Sequence, residues 1–328
     1  MKKILLATTA LVGFAGAASA EITLTGYAEI GVDGGNKGFQ TQFHNDWQVN
    51  FNFASETDGG LSFGGKVQIE ENNTPQSING PLRIDDEAFW VSGSFGKVTL
   101  GETAGAIDWA VAEIYSGTSI SDDHSTHAGV YWNTGLDGIY GDQIARYEYS
   151  FGDFGAAFSI EMDDTGVLDP AIGIGGKWSG AMSGADIDAG IGFESNGDKD
   201  TWSLAVRAKL ANGFQATLGY ANFSNDPVFN FKDTIGNGVV VDNWVGLGVA
   251  YTTGALTLGA NYGVYSAVVA GNDDPSGFGL VANYDLGGGA VAMVGYGDST
   301  GTSAGGVEYG NGNGHGSSTW SAGLGMSF

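Results

Sequence analysis

Thr201-Trp202-Ser203-Leu204-Ala205-Val206-Arg207-Ala208-Lys209-Leu210 decides the fold. Trp202, Leu204, Val206, Ala208 and Leu210 share one parity, and Ser203, Ala205, Arg207 and Lys209 share the other. A period of two marks a strand with one apolar and one polar face. The chain's end repeats it: Trp320, Ala322, Leu324, Met326 and Phe328 oppose Ser321, Gly323, Gly325 and Ser327. So does 61–70, where Leu61, Phe63, Val67 and Ile69 oppose Ser62, Lys66, Gln68 and Glu70. Further alternating runs cover 47–53, 143–151, 214–220, 245–251 and 256–262.

Two kinds of connection join these runs. Short ones, rich in Gly, Asp and Asn, stand at 57–60, 95–97, 152–155, 211–213, 253–254 and 287–289, the chemistry of tight hairpins. Long acidic ones fall at 71–82, 102–142, 163–170, 195–200, 224–240, 264–276 and 298–316. The two kinds alternate, so an up-and-down sheet would carry its short turns at one end and its long loops at the other. About sixteen strands follow, each of a length suited to crossing a membrane at ~9–11 residues. So large a sheet removes its edges by closing. A barrel of ~16 strands is too wide for side chains to fill, so it holds water. The expectation is an all-β, antiparallel, up-and-down transmembrane barrel with an apolar outer face. Aromatic residues near strand ends fit interfacial girdles: Trp90, Phe95, Tyr147, Tyr149, Phe151, Phe154, Tyr220, Phe223, Tyr284, Tyr296 and Trp320.

Composition excludes other classes. Gly accounts for 58 of 328 residues, which disfavours an all-helical chain; Pro is only 5 and Cys is absent. Acidic residues number 37 against 12 basic, a formal charge of −25, so no nucleic-acid partner is expected. Hydrophobic residues at 42% and aromatics at 12% are too many for a disordered acidic chain. Residues 1–20 read as a cleavable signal peptide: Lys2 and Lys3, an apolar run from Ile4 to Ala18, and a small-x-small site at Ala18-Ser19-Ala20. The mature domain would then be 21–328, exported through the periplasm.

The chain resembles the general diffusion porins of Gram-negative outer membranes, in the alphaproteobacterial branch. The resemblance rests on Glu21-Ile22-Thr23-Leu24-Thr25-Gly26, on 57–64, on Ser92-Gly93-Ser94-Phe95-Gly96-Lys97 running into Leu100-Gly101-Glu102, on 284–289 and on Phe328. It implies sixteen strands, a homotrimer, and a long third loop folded into the lumen. It implies Phe328 as the C-terminal insertion signal, and contact with outer-membrane lipid and lipopolysaccharide. It also implies passive passage of ions and small hydrophilic solutes, screened where acidic loop residues face basic wall residues. The matching loop positions are Glu102, Asp108 and Glu113, followed by Asp122 and Asp123. Alternation turns Lys66, Arg146, Lys177, Arg207 and Lys209 inward; the parity of Arg83 is open. Such a channel is not an enzyme and needs no cofactor.

Alternatives remain. Asp163, Asp164, Asp273 and Asp274 could bind calcium on the outer loops, because Asp and Glu oxygens are its ligands. His124-x-x-His127 beside Asp122 and Asp123 resembles a transition-metal cluster, while His44 and His315 stand alone in sequence. Gly60-Leu61-Ser62-Phe63-Gly64 matches a nucleophile elbow, which would make a barrel enzyme with Ser62; that motif needs a helix after the turn, and an alternating strand stands there instead. A solute-specific channel and a glycine-rich surface adhesin complete the rivals.

Overall fold

The computed structural model describes residues 21–35, 40–71, 82–115, 117–120, 133–141, 143–197, 199–224, 231–232, 238–268, 274–299, 302–303 and 318–328. The expected signal peptide, Asp122, Asp123, His124, His127, Asp273 and His315 lie outside these residues.

Alternation becomes strand wherever one face can meet lipid. The first strands are β1 (Glu21–Gly35), β2 (Gln42–Glu56), β3 (Ser62–Glu71), β4 (Leu82–Gly93) and β5 (Gly96–Gly101). A short helix α1 (Ala106–Ala110) follows, then β6 (Ile144–Phe151), β7 (Phe154–Glu161), β8 (Ala171–Met182), β9 (Ala185–Asn196), β10 (Lys199–Leu210) and β11 (Phe214–Ser224). Two short strands, β12 (Phe231–Lys232) and β13 (Gly238–Val239), precede β14 (Val241–Thr253), β15 (Leu256–Ala267), β16 (Ser276–Gly287) and β17 (Ala290–Ser299). The last are β18 (Thr302–Ser303) and β19 (Ser318–Ser327).

Sixteen strands form one closed antiparallel barrel, each bonded to its neighbours along the chain, with β1 paired to both β2 and β19. β12, β13 and β18 make a separate three-stranded sheet. Closure leaves no barrel strand with an unpaired edge, the condition for spanning lipid. The connections expected to be short gather at one end, beside Glu21 and Phe328. There Phe328 exchanges two backbone hydrogen bonds with Gly26, at 2.9 and 3.2 Å.

The faces are inverted relative to a water-soluble barrel. Along β10, Trp202, Leu204 and Val206 are exposed on the outside, while Thr201, Ser203 and Ala205 are buried within. The buried core is not between two sheets. Ile107, Ile114, Ile120 and Leu136 are each 0% exposed, and all belong to the connection between β5 and β6. That connection therefore lies inside the barrel, against its wall.

Several sequence expectations need correction. The connection expected at 195–200 shrinks to residues 197–198, because Asn196 and Lys199 still pair across it. The one expected at 264–276 shrinks to 268–275, between Ala267 and Ser276. Ser195, Asn196, Lys199 and Asp200 extend β9 and β10, and 264–267 extend β15, where Tyr265 packs into the core beneath the loop. Of the aromatics expected in the girdles, two turn inward. Trp90 lies under the Lys97 ammonium, 5.5 Å from its ring centre, and Phe223 is buried beneath the inward loop. Phe95, Tyr147, Tyr149, Phe151, Phe154, Tyr220, Tyr284 and Tyr296 are exposed as a girdle requires. Ser62 opens β3 with strand and not helix after it, so the nucleophile-elbow geometry is absent.

Leu247 sits at the middle of β14 on the outer face. Leu247→Arg is expected to lower unfolding stability in lipid vesicles by ~2–4 kcal/mol, read by urea titration. A change within about 0.5 kcal/mol would mean that this face does not meet lipid.

Candidate functional site

The inward loop leaves the wall at Gly101 and returns at Gln143. Its described parts trace a path around the inside of the barrel. Near its root, the Ala106 N–H donates to Ser159 Oγ at 2.8 Å, so α1 begins against β7. Ile114 then packs on Phe223, Trp244 and Tyr265 from β11, β14 and β15. Asn283 Nδ2 on β16 donates to the Thr118 carbonyl at 2.8 Å. Ser119 and Ser321 share a hydroxyl hydrogen bond at 2.8 Å on β19, and Ile120 reaches Gly31 and Gly323.

Inward-facing glycines form the bed for it. A Cβ at Gly175 would collide with the Ala106 carbonyl oxygen, one at Gly190 with that of Ala110, and one at Gly248 with that of Ile114. A Cβ at Gly192 would likewise crowd the Ile107 Cα. These are close approaches of backbone to backbone, which a side chain would prevent.

The six cations singled out in the sequence, Lys66, Arg83, Arg146, Lys177, Arg207 and Lys209, divide into two groups. Three hold the loop by its carbonyl oxygens. Arg146 Nη1 donates to the Ala104 carbonyl, Lys177 Nζ to that of Trp109 at 3.3 Å, and Arg207 Nη2 to that of Glu113 at 2.9 Å. Lys177 Nζ also stands 3.5 Å from the Trp109 ring centre. The other three line the open lumen, with Lys66, Arg83 and Lys209 side chains 37%, 41% and 47% exposed. Each is paired with a carboxylate on the wall. Lys66 meets Asp86, Arg83 meets Asp85, with Glu70 at 4.0 Å and Glu102 at 3.8 Å, and Lys209 meets Asp188 at 3.4 Å.

The loop acids divide as well. Glu102 stands at the root, where its Oε2 accepts the Asp86 N–H at 2.7 Å. Glu113 gives its carbonyl to Arg207. Asp108 lies in the seam between loop and wall, near the Thr134 hydroxyl and Arg146, and burial pushes its carboxyl up from the ordinary value. Sequence reasoning missed three acids that share this seam: Asp137, Glu161 and Glu194. Asp137 Oδ2 accepts the Gly105 N–H at 3.0 Å, clamping the returning limb to the outgoing one. Glu161 accepts the N–H groups of Gly138 at 3.0 Å and Tyr140 at 2.6 Å. Asp137 Oδ1 and Glu194 Oε2 are buried with no hydrogen-bond partner among the described residues. Burial first, then the Asp108 charge, pushes the Asp137 carboxyl up to about 8.

His44 is not isolated in space. Its ring nitrogens face Glu29 at 3.0 Å and Asp33 at 3.6 Å on β1. On the outer loops, the Asp163 carboxylate is taken up by the Thr165 hydroxyl and the N–H groups of Val167 and Leu168, and Asp164 receives Gln143 Nε2. Asp274 accepts the Ala267 N–H at 2.8 Å. Among the described residues, no three His, Asp or Glu side chains converge as metal ligands would.

Comparison with known proteins bears on the same architecture. A family model described as Gram-negative porin matches residues 7–304. A porin of Rhodobacter capsulatus is 28% identical over 295 residues, spanning 85% of this chain and 94% of that one. A porin structure refined at 1.8 Å superposes with a TM-score of 0.64 at 22% identity, covering 94% of this chain and all of the other. A variant of the Rhodopseudomonas blastica porin superposes at 0.62 with 19% identity, again over 94% of this chain and all of the other.

The raised Asp137 carboxyl gives the seam a pH dependence. Its ordinary value is 3.8, so between about pH 4 and 8 the unfolded chain loses a proton that the folded chain keeps. Stability contributed here is full below that window and falls as pH rises through it. Asp137→Asn is expected to flatten the pH dependence of the thermal midpoint between pH 5 and 9, by about 1–3 kcal/mol at the alkaline end. An unaltered pH profile would place the titration elsewhere.

Proposed function

Because the chain belongs to the Gram-negative porin family, we propose a particular form of that family's activity: a diffusion pore that prefers cations, screened between the inward loop and the β2–β4 wall. In this reading ions and small hydrophilic solutes cross the pore down their gradients, with no reaction at the protein. Size exclusion comes from the lumen left beside the loop. The field in that gap adds the second screen, as rings of charged side chains do in other pores.

The charge balance at the gap carries the preference. Glu70, Asp85, Asp86 and Glu102 surround Lys66 and Arg83, so four carboxylates meet two cations. Each wall cation already has an acidic partner, which blunts its attraction for anions. The excess of carboxylate then raises the local concentration of cations. Charge on the outer rim contributes less, since salt screens it within ~8–10 Å.

Two further parts of the reading concern assembly. Export would remove residues 1–20 and leave Glu21, which opens β1 opposite Ala54, as the mature start. The subunits would associate as a homotrimer through the outer face near β4. β4 turns exposed Glu87 outward on the face of Ile84 and Phe89, near the middle of the strand. A carboxylate there is unfavourable against lipid. Donors from a second subunit would relieve it, which supports this face as the contact.

Purified protein in a planar bilayer under a potassium chloride gradient is expected to open in steps, with a reversal potential of cation-preferring sign. An anion-preferring or silent channel would overturn the reading. Native mass in detergent is expected at three chains, and a single chain would remove the trimer.

A further inference from the structure

We propose that Asp86 is a selectivity-setting residue of the pore, and that Glu102 at the root of the inward loop positions it. Asp86 and Ser183 are the two non-glycine residues with positive φ among the described residues. Ser183 stands in the tight turn between β8 and β9, where such a conformation is ordinary. Asp86, with φ of 51°, stands in the middle of β4. Left-handed backbone is disfavoured for residues with a Cβ and is least so for Asn and Asp.

The strain has a local geometric cause. Lys66 pairs with Ala88 and Gln68 with Asp85, so Asp86 and Glu87 together oppose Val67. This is a β-bulge, and bulges re-aim side chains beside functional sites. In a regular strand Asp85 and Asp86 would face opposite sides, and Asp86 would stand outward where Glu87 now stands. Here Asp85 pairs with Arg83 and Asp86 pairs with Lys66, both cations lining the lumen. The bulge thus brings two consecutive carboxylates into the water-filled gap. Asp86 is also about half exposed, at 47% of its side chain, as a group touched by passing ions must be.

Glu102 holds the bulge from both directions. Its N–H donates to the Glu87 carbonyl at 2.9 Å, and its Oε2 accepts the Asp86 N–H at 2.7 Å. Gly101, with φ of 124°, allows the chain to turn there, and a Cβ on it would strike the Glu87 carbonyl. So the residue that begins the loop also fixes the backbone that aims Asp86 at Lys66. Its own charge faces Arg83 at a looser 3.8 Å. Glu102 is a positioning residue first and a pore charge second.

This inference rests on the cation-preferring reading above, and reversal potentials under a potassium chloride gradient test both separately. Wild type, Asp86→Asn, Glu102→Gln and Glu102→Ala are compared in planar bilayers. Asn tolerates the left-handed backbone, so Asp86→Asn keeps the bulge and removes only the charge. It is expected to release Lys66 and lower the cation-to-anion permeability ratio by about threefold or more. Gln can still accept the Asp86 N–H and Ala cannot, although both remove the same charge. Glu102→Ala is therefore expected to lower the ratio well beyond Glu102→Gln. Equal ratios for those two variants would reduce Glu102 to a pore charge and overturn its positioning role. An Asp86→Asn channel with the wild-type ratio would overturn the proposal for Asp86. An anion-preferring wild type would overturn the broader reading alone, provided that Asp86→Asn still shifts the potential further towards anions.

Discussion

Every backbone N–H and C=O that enters a hydrocarbon layer must find its partner within the protein, and the rest of this structure follows from that demand. A sheet meets it only by bonding its first strand to its last, as β1 does with β19. Closure at sixteen strands then fixes the diameter, and the diameter fixes the problem that the interior must solve. Side chains alone cannot fill so wide a tube. The chain answers with its own longest connection, laid against the inner wall, so that among the described residues Ile107, Ile114 and Ile120 of the loop and Trp244 and Tyr265 of the wall beneath it are fully buried.

Laying backbone on backbone needs surfaces without side chains. That is one reason for the unusual glycine content, and it gives individual glycines a reason to be where they are. Gly173 and Gly175, Gly190 and Gly192, and Gly246 and Gly248 recur two apart, each pair on the inward parity of one strand. Wall cations then grip the carbonyl oxygens that the loop presents. Arg146, Lys177 and Arg207 act on the loop's main chain, while Lys66, Arg83 and Lys209 stay in contact with water. Residues alike in type and parity thus do different work according to whether the loop passes over them.

The barrel was legible in the sequence because lipid and water impose opposite demands on adjacent residues, and 201–210 obeys both. The long third connection was legible by its length. Its inward course was also written there, in glycine pairs at a spacing of two, yet polarity patterns draw the eye to charged residues first. Which cations face the pore was not legible, since parity gives direction and not depth. Nor was the bulge at Asp86, because Asp85-Asp86-Glu87 breaks the alternation without announcing how the backbone absorbs it. The seam acids Asp137, Glu161 and Glu194 come from three separate segments, and only the folded loop brings them together.

The pairing of β1 with β19 sets an order in time as well as in space. Tyr27 lies opposite Ser327, so the two ends of the chain are neighbours in the finished wall. Until the last strand arrives, both boundary strands offer unsatisfied hydrogen-bonding edges, each competent to capture the wrong partner. Such long-range pairing is also slow to reach. The nascent barrel is therefore an open ribbon for most of its assembly, and its final strand is the one that turns a sheet into a tube.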